Sequence, residues 1–238
     1  MPKFTQKLIA ENVTKHWNKL MIKERIEALK TDLIDKDYSV EKVLQKHIIE
    51  IEPYLFTIEE KDMEYDIRTL ISESLGVHLN DVVIVGSSKI GYSLSPRKLY
   101  NEFDEVYNKT KKMKHKSDID VAVVSSVLFN KLNKTLYNFT KGLSEDWIEN
   151  EYYNKDRFPI PINYKFFKYA YKGWFRPDLK PSGFEICKKG NFEELKREIQ
   201  ELTGRKLGLG IYKNWYFFKN YHMDNLKELK LRSETEII

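Results

Sequence analysis

A chain of 238 residues is long enough for one domain with a sizeable core, with room for a helical appendage. Charged residues at 32%, the AVILMFWYC set at 41%, and only 10 Gly and 7 Pro exclude a collagen-like, low-complexity or largely disordered chain. The net charge of +5 is unevenly placed: residues 1–80 carry 12 basic and 15 acidic side chains and residues 81–238 carry 29 and 21, which predicts an anionic partner for the last two thirds.

The first eighty residues read as helices. Phe4, Leu8, Trp17 and Leu20, then Ile22, Ile26 and Leu29, recur at helical spacing. A second helix starts at Ser39 as cap, carries Val40, Val43, Leu44, His47 and Ile51 on one side, and stops before Pro53. A third opens on a capping box of Thr57 and Glu60, continues through Met63, Ile67, Leu70, Ile71 and Leu75, and ends at Gly76 in a left-handed conformation.

At Asp81 the pattern changes to a short continuous apolar run, Val82-Val83-Ile84-Val85, ending at Gly86, which predicts a buried strand. A second run from Ile119 to Val124 predicts a neighbouring strand of the same sheet. A helix of uncertain limits falls within 127–152, and an aromatic-rich helix spans about 162–173. A turn-rich passage follows from Gly173 to Gly190. Asn191 caps a helix with Phe192, Leu195, Ile199 and Leu202 on its apolar face, and residues 207–218 read as a strand. The expectation is an α+β fold with a small mixed sheet: a helical N-terminal region over 1–57 and a second unit over 58–238.

Cys187 is the only cysteine, so intrachain disulfides and thiolate-cluster metal sites are excluded. The five histidines, at 16, 47, 78, 115 and 222, show no metal-ligand spacing. No uncharged apolar stretch approaches the ~18–20 residues of a membrane span, and the start, with Lys3, Lys7, Glu11 and Lys15, has no signal-peptide core. A cytoplasmic protein without membrane association is expected.

Two segments carry chemistry: Val82-Val83-Ile84-Val85-Gly86-Ser87-Ser88 and Ser117-Asp118-Ile119-Asp120-Val121-Ala122-Val123-Val124. Strand side chains alternate faces, so Asp118 and Asp120 project to the same side with Cα atoms roughly 6.5–7 Å apart. Two such carboxylates repel, and a hard divalent cation with oxygen ligands is the usual remedy, magnesium first and manganese as the alternative. Gly86 permits a tight turn after the strand, and Ser87 and Ser88 offer hydroxyls and N–H groups to a phosphate.

Together these segments resemble the nucleotidyltransferase superfamily with the DNA polymerase β-like fold. In that family a strand ending in Gly-Ser or Gly-Gly precedes a strand bearing Asp-x-Asp, often with a third carboxylate on a later strand. The resemblance covers about residues 58–126. It implies transfer of a nucleotidyl group from a nucleoside triphosphate, with Gly86, Ser87 and Ser88 on the triphosphate and Asp118 and Asp120 as metal ligands. Lys89, next in sequence, adds a charge contact to phosphate. The acceptor is an RNA, nucleotide or protein hydroxyl. Stand-alone basic forms of this kind also resemble modules of bacterial conflict, toxin–antitoxin and antiviral defence systems.

The chain departs from the family pattern twice. Ser87 and Asp118 lie 31 residues apart, which makes about 92–116 an insertion, and the segment from Leu207 to Trp215 has no Asp or Glu. Asp178, Glu185 and Glu151 are the substitutes for the third carboxylate. Two other readings stay open: a nucleotide-sensing or partner-binding subunit without catalysis, and an RNA-binding module. The last would use Lys109, Lys111, Lys112, Lys114, His115 and Lys116, together with the seven aromatics between Tyr164 and Phe175, of which Phe166 and Tyr169 are expected in the core.

Overall fold

A computed structural model describes residues 3–58, 62–142, 147, 152–153 and 160–236. In chain order these form α1 (Lys3–Ile34), α2 (Val40–Leu44), α3 (Tyr54–Ile58), α4 (Asp62–Leu75), β1 (Val82–Val85), α5 (Gly86–Ile90), α6 (Glu105–Thr110), β2 (Ile119–Val124), α7 (Ser126–Phe139), β3 (Tyr152–Tyr153), β4 (Ile160–Pro161), α8 (Ile162–Tyr171), β5 (Trp174–Phe175), α9 (Phe192–Thr203), β6 (Leu207–Tyr212) and α10 (Trp215–Glu236). The class is α+β, as expected.

Helix starts follow local chemistry. The Ser39 hydroxyl accepts from the Lys42 amide at 3.2 Å, and α2 runs on into a π-helical turn over Gln45–Ile49. Asn191 and Glu194 form a reciprocal capping box that opens α9. Gly76 is left-handed, as its position required. Three expectations fail. Thr57 lies inside α3, where its hydroxyl donates to the Tyr54 carbonyl at 2.7 Å, so it does not open α4; Glu60 lies outside the described residues. Trp17 stands 61% exposed, and the buried stripe of α1 runs through Ile22, Leu29 and Leu33. The strand expected over 207–218 stops at Tyr212, and Trp215 onwards is helix.

One sheet has the order β1-β2-β6-β5, and β3 pairs with β4 apart from it. β2 is antiparallel to β1 and parallel to β6, while β5 is antiparallel to β6. The predicted neighbouring strands thus pair directly. Cross-strand partners share a face, so Val85, Asp120 and Gly208 stand in one row and Val83, Ala122 and Gly210 in the next. On the opposite face Ile119, Val121 and Val123, with Val82, Ile84, Ile211 and Phe175, enter a core that also holds Ile67, Ile71, Leu128, Leu132, Leu195 and Ile199 from α4, α7 and α9. That core continues into Leu29, Leu44 and Leu55, so the helices of 1–57 share one apolar interior with the rest of the chain. The Asp120 face has a smaller cluster, Ala122, Val124, Tyr212 and Phe218, which covers one end and leaves the other open.

A buried ion pair ties down the open end. Arg205, just before β6, meets the Asp104 carboxylate through two bonds of 2.9 and 2.8 Å, and it donates to the Ser117 carbonyl at 3.3 Å. Ser117 and Asp104 also exchange bonds: the Ser117 amide donates to Asp104 Oδ1 at 2.7 Å and the Asp104 amide to Ser117 Oγ at 3.0 Å. Asp104 holds a left-handed backbone, φ 60°. The guanidinium lies over the Phe103 ring at 4.7 Å. The segment 92–116, expected as an insertion, is therefore fastened to the entry points of both β2 and β6.

Removing one partner of this pair leaves a buried charge without its counterion, which costs about 3–5 kcal/mol. Urea unfolding of Arg205→Met and of Asp104→Leu is expected to show losses in that range, with the double variant losing far less than their sum. Additive losses would show that the pair does not act as a unit.

Candidate functional site

Asp120 sits in the middle of its face. A Cβ built on Gly86 would stand 2.5 Å from Asp120 Oδ2, and one on Gly208 would collide with Oδ1. The carboxylate is wedged between two glycines, one on either neighbouring strand line, and any side chain at these positions would displace it. Gly86 is further committed by its left-handed backbone, φ 67°.

Among the described residues nothing donates a hydrogen bond to Asp120. Burial raises its pKa to about 7, with the negative charge of Asp118 as the second cause. Asp118 lies one residue before β2 and is exposed. The two carboxylates sense each other electrostatically, Asp120 in the cavity lining and Asp118 outside it.

The floor opens into a cavity of about 850 Å³ bounded by Val85, Gly86, Asp120 and Gly208, by the loop from Arg176 to Gly183, and by Phe192 and Lys196 of α9. Its aromatic wall is Trp174, Tyr212, Tyr221 and His222. Gly210 lacks the side chain that would strike the Trp174 indole nitrogen. The indole stacks on Tyr212 at 5.5 Å with an interplanar angle of 9°, and the Arg176 guanidinium lies 5.1 Å from its ring centre. Burial pushes His222 down to about 4, so it faces the cavity as a neutral imidazole at pH 7. Arg176, Lys180 and Lys196 also line the cavity, Arg176 ion-paired with Asp178 and Lys196 with Glu193, two acids of the same lining.

The remaining site residues read from the sequence divide. Ser87 is half-buried beside Gly86, and nothing among the described residues bonds its hydroxyl. Ser88 is buried, with its hydroxyl on the Val85 carbonyl at 2.9 Å. Lys89 is buried too, and its ammonium donates to the Ile49 carbonyl at 2.6 Å. It closes the end of the π-helical turn, and burial lowers its pKa. Arg25 from α1 then caps the Lys89 carbonyl at 3.2 Å. A phosphate contact from Lys89 is thereby corrected to a fastening of α5 onto the N-terminal helices.

Of the substitutes for a third carboxylate, Asp178 lines the cavity but is gripped by Arg176 at 3.1 and 2.5 Å. Glu185 accepts from the Ile186, Cys187 and Phe192 amides. Glu151 lies outside the described residues. No group of three or more His, Cys, Asp or Glu among the described residues stands where it could hold a metal ion. The basic cluster does not line the cavity: Lys109 pairs with Glu105, and Lys111 and Lys116 flank the Tyr107 ring at 5.5 and 5.6 Å.

No family model, curated protein or solved structure matches the chain. The site is therefore read from its own geometry. Sequence reading passed over Arg176, Trp174, Tyr221 and His222, which come together only in the fold. It also passed over Gly208 and Gly210, whose alternation in Leu207-Gly208-Leu209-Gly210-Ile211 was a usable signal: glycine at every second strand position marks close approach on one face.

A carboxyl group whose folded pKa of about 7 exceeds its ordinary value of 3.8 keeps its proton in the folded state after the unfolded chain has lost it. Without metal, stability therefore falls as pH rises between these values. Asp120→Asn removes that penalty: in chelator, the variant is expected to exceed the parent in unfolding free energy at pH 8 by on the order of a few kcal/mol, with the gain shrinking towards pH 4. A variant less stable than the parent at pH 8 would contradict this origin of the shift.

Proposed function

We propose that the chain binds a nucleoside triphosphate in the cavity above Asp120 and transfers its nucleotidyl group to an acceptor hydroxyl, the reaction class of the polymerase β-like nucleotidyltransferases. The observation that carries this reading is the Asp120 carboxylate: desolvated, without a donor, beside a second carboxylate, and cradled by two glycines at the floor of an open cavity. A protein pays for such a group where the charge meets a cation.

The donor set suits a small hard cation. Magnesium is held by one or two carboxylates, with waters and substrate phosphates completing the shell, and Asp118 and Asp120 are the residues that would hold it, with manganese as the alternative. There it would bridge phosphate oxygens and offset their charge. Gly86 and Ser87 lie at the phosphate end, where Gly86 lets a ligand approach the backbone and Ser87 has a free hydroxyl. Arg176, Lys180 and Lys196, which line the cavity, would turn to the triphosphate from Asp178, the Phe184 carbonyl and Glu193. In the transfer, the acceptor oxygen bonds to the α-phosphorus, the bond to pyrophosphate breaks and the hydroxyl proton is released.

A second reading has its own observation. Gly208 and Gly210 occupy the β6 positions that flank Asp120 and Ala122, so β6 adds no carboxylate to the face. That favours a nucleotide-sensing subunit that binds without transfer. Label transfer from α-phosphate-labelled triphosphates to RNA, nucleotide and protein acceptors separates the two. Transfer is expected with magnesium and is expected to fall at least a hundredfold in Asp118→Asn and in Asp120→Asn. Magnesium-dependent triphosphate binding without transfer to any acceptor supports the sensing subunit. Binding that survives both substitutions together would remove the aspartates from the site.

A further inference from the structure

Helix α8 is amphipathic in an unusual sense. One side enters the core through Lys165 and Phe166, both buried, and Tyr169 packs edge-on against Trp174 at 4.9 Å. The other side carries Tyr164, Phe167, Lys168, Tyr171 and Lys172 at helical spacing, with Tyr164 65%, Phe167 38% and Tyr171 92% exposed. Aromatic positions at this spacing normally form the buried stripe of a helix; here a second such stripe faces water.

The charge of the exposed side is of one sign. Lys168 and Lys172 stand among its rings with no acidic residue from Ile160 to Pro177, while Lys165 is buried and Arg176 pairs with Asp178. Exposed aromatics alone would also suit a protein partner, but lysine is depleted at protein interfaces, and here lysines alternate with the rings without an acidic neighbour on the strip. The strip continues past the end of the helix. Gly173 accepts a bond from the Lys213 amide at 2.9 Å and packs against the Phe217 ring, which adds Lys213 to the end of the strip.

We propose that this strip is a docking surface for single-stranded RNA. Tyr164, Phe167 and Tyr171 follow one another at about one helical turn, a rise of ~5.4 Å, which suits successive bases of an extended strand. Tyr164 and Tyr171 offer ring faces to bases, Phe167, backed by Trp147 at 5.4 Å, offers its outer part between them, the lysines meet phosphates, and the tyrosine hydroxyls reach for ribose 2′-OH groups. A duplex has its bases stacked inside and cannot use such rings. The opposite flank of α8 abuts Trp174 and Arg176, both of the cavity wall, so a strand on the strip passes beside the cavity. Binding here stands independently of nucleotidyl transfer.

Fluorescence anisotropy of a labelled, mixed-sequence single-stranded RNA of about fifteen nucleotides, with the full chain and neither nucleotide nor magnesium, tests this. Tyr171→Ala and Tyr164→Ala remove exposed side chains and are each expected to raise Kd about fivefold or more. Lys168→Gln and Lys172→Gln are each expected to flatten the log–log salt dependence by about 0.7. An affinity unchanged by both tyrosine substitutions, lost instead on Lys112→Gln with Lys114→Gln, or matched by a duplex overturns the proposal. Equal affinity for DNA of the same sequence overturns the RNA assignment. Concentration-dependent self-association that disappears in Tyr171→Ala gives the face to a second copy of the chain. Because no nucleotide is present, failure of label transfer leaves this result intact, and the reverse holds too.

Discussion

The register of β2 between β1 and β6 is the constraint on which the site depends. Strand side chains alternate, so a slip of one residue would carry Asp120 into the core and Val121 into the cavity. The apolar set Ile119, Val121 and Val123 resists that slip from one face. From the chain's entry the register is pinned by the Asp104–Arg205 pair, which engages Ser117 before β2 and comes from the residue two before β6. The clamp thus sets the parallel alignment in which Gly208 stands opposite Asp120. A buried ion pair is weak evidence for stability, and fixing one register among several is its best attested use.

Within that register the two faces of the sheet are built on opposite principles. One is packed with branched side chains from strands and helices. The other is emptied: glycines at 86, 208 and 210 remove side chains where Asp120 and the Trp174 indole need room. Glycines in strands lose packing and conformational entropy, and an unbonded carboxylate adds a desolvation cost. Such violations of local consistency are where function is expected, and Gly86 and Gly208 both meet the Asp120 carboxylate.

What could be read in the sequence was whatever rests on local pattern. The apolar runs at 82–85 and 119–124 became paired strands, Ser39 and Asn191 capped their helices, and Gly86 turns the chain after β1 in a left-handed conformation. Long-range partnerships were not legible. Lys89 follows two serines of a candidate phosphate loop, yet its ammonium is claimed by Ile49, forty residues earlier in the chain. Asp104 and Arg205 are 101 positions apart and look like any surface charges in their own segments. Helix α10 was hidden because Ile211 to Phe218 is rich in β-prone aromatics. The chain turns at Lys213 and Asn214, and only then does Phe218, Leu226, Leu229 form a helical stripe. β5 has two residues, too few for any period to register.

The absence of an acid from β6 follows from the same geometry that makes Asp120 distinctive. At this register a side chain at 208 and the Asp120 carboxylate would occupy the same space, so a carboxylate there and the present placement of Asp120 exclude each other. A third negative charge at that distance would also raise the Asp120 pKa beyond the value that burial and Asp118 already impose. A cation held by two carboxylates instead draws its remaining oxygens from water and phosphate. On the proposed reading, affinity for the metal and for the triphosphate are then coupled, since each supplies ligands or charge that the other lacks. Arg176, Lys180 and Lys196 line the same cavity, and on this reading a phosphate would compete with Asp178 and Glu193 for two of them. The +8 of residues 81–238 is accordingly divided between the cavity lining and outward-facing lysines, while the two carboxylates read as metal ligands lie at the start of β2, Asp118 just before it and Asp120 on it.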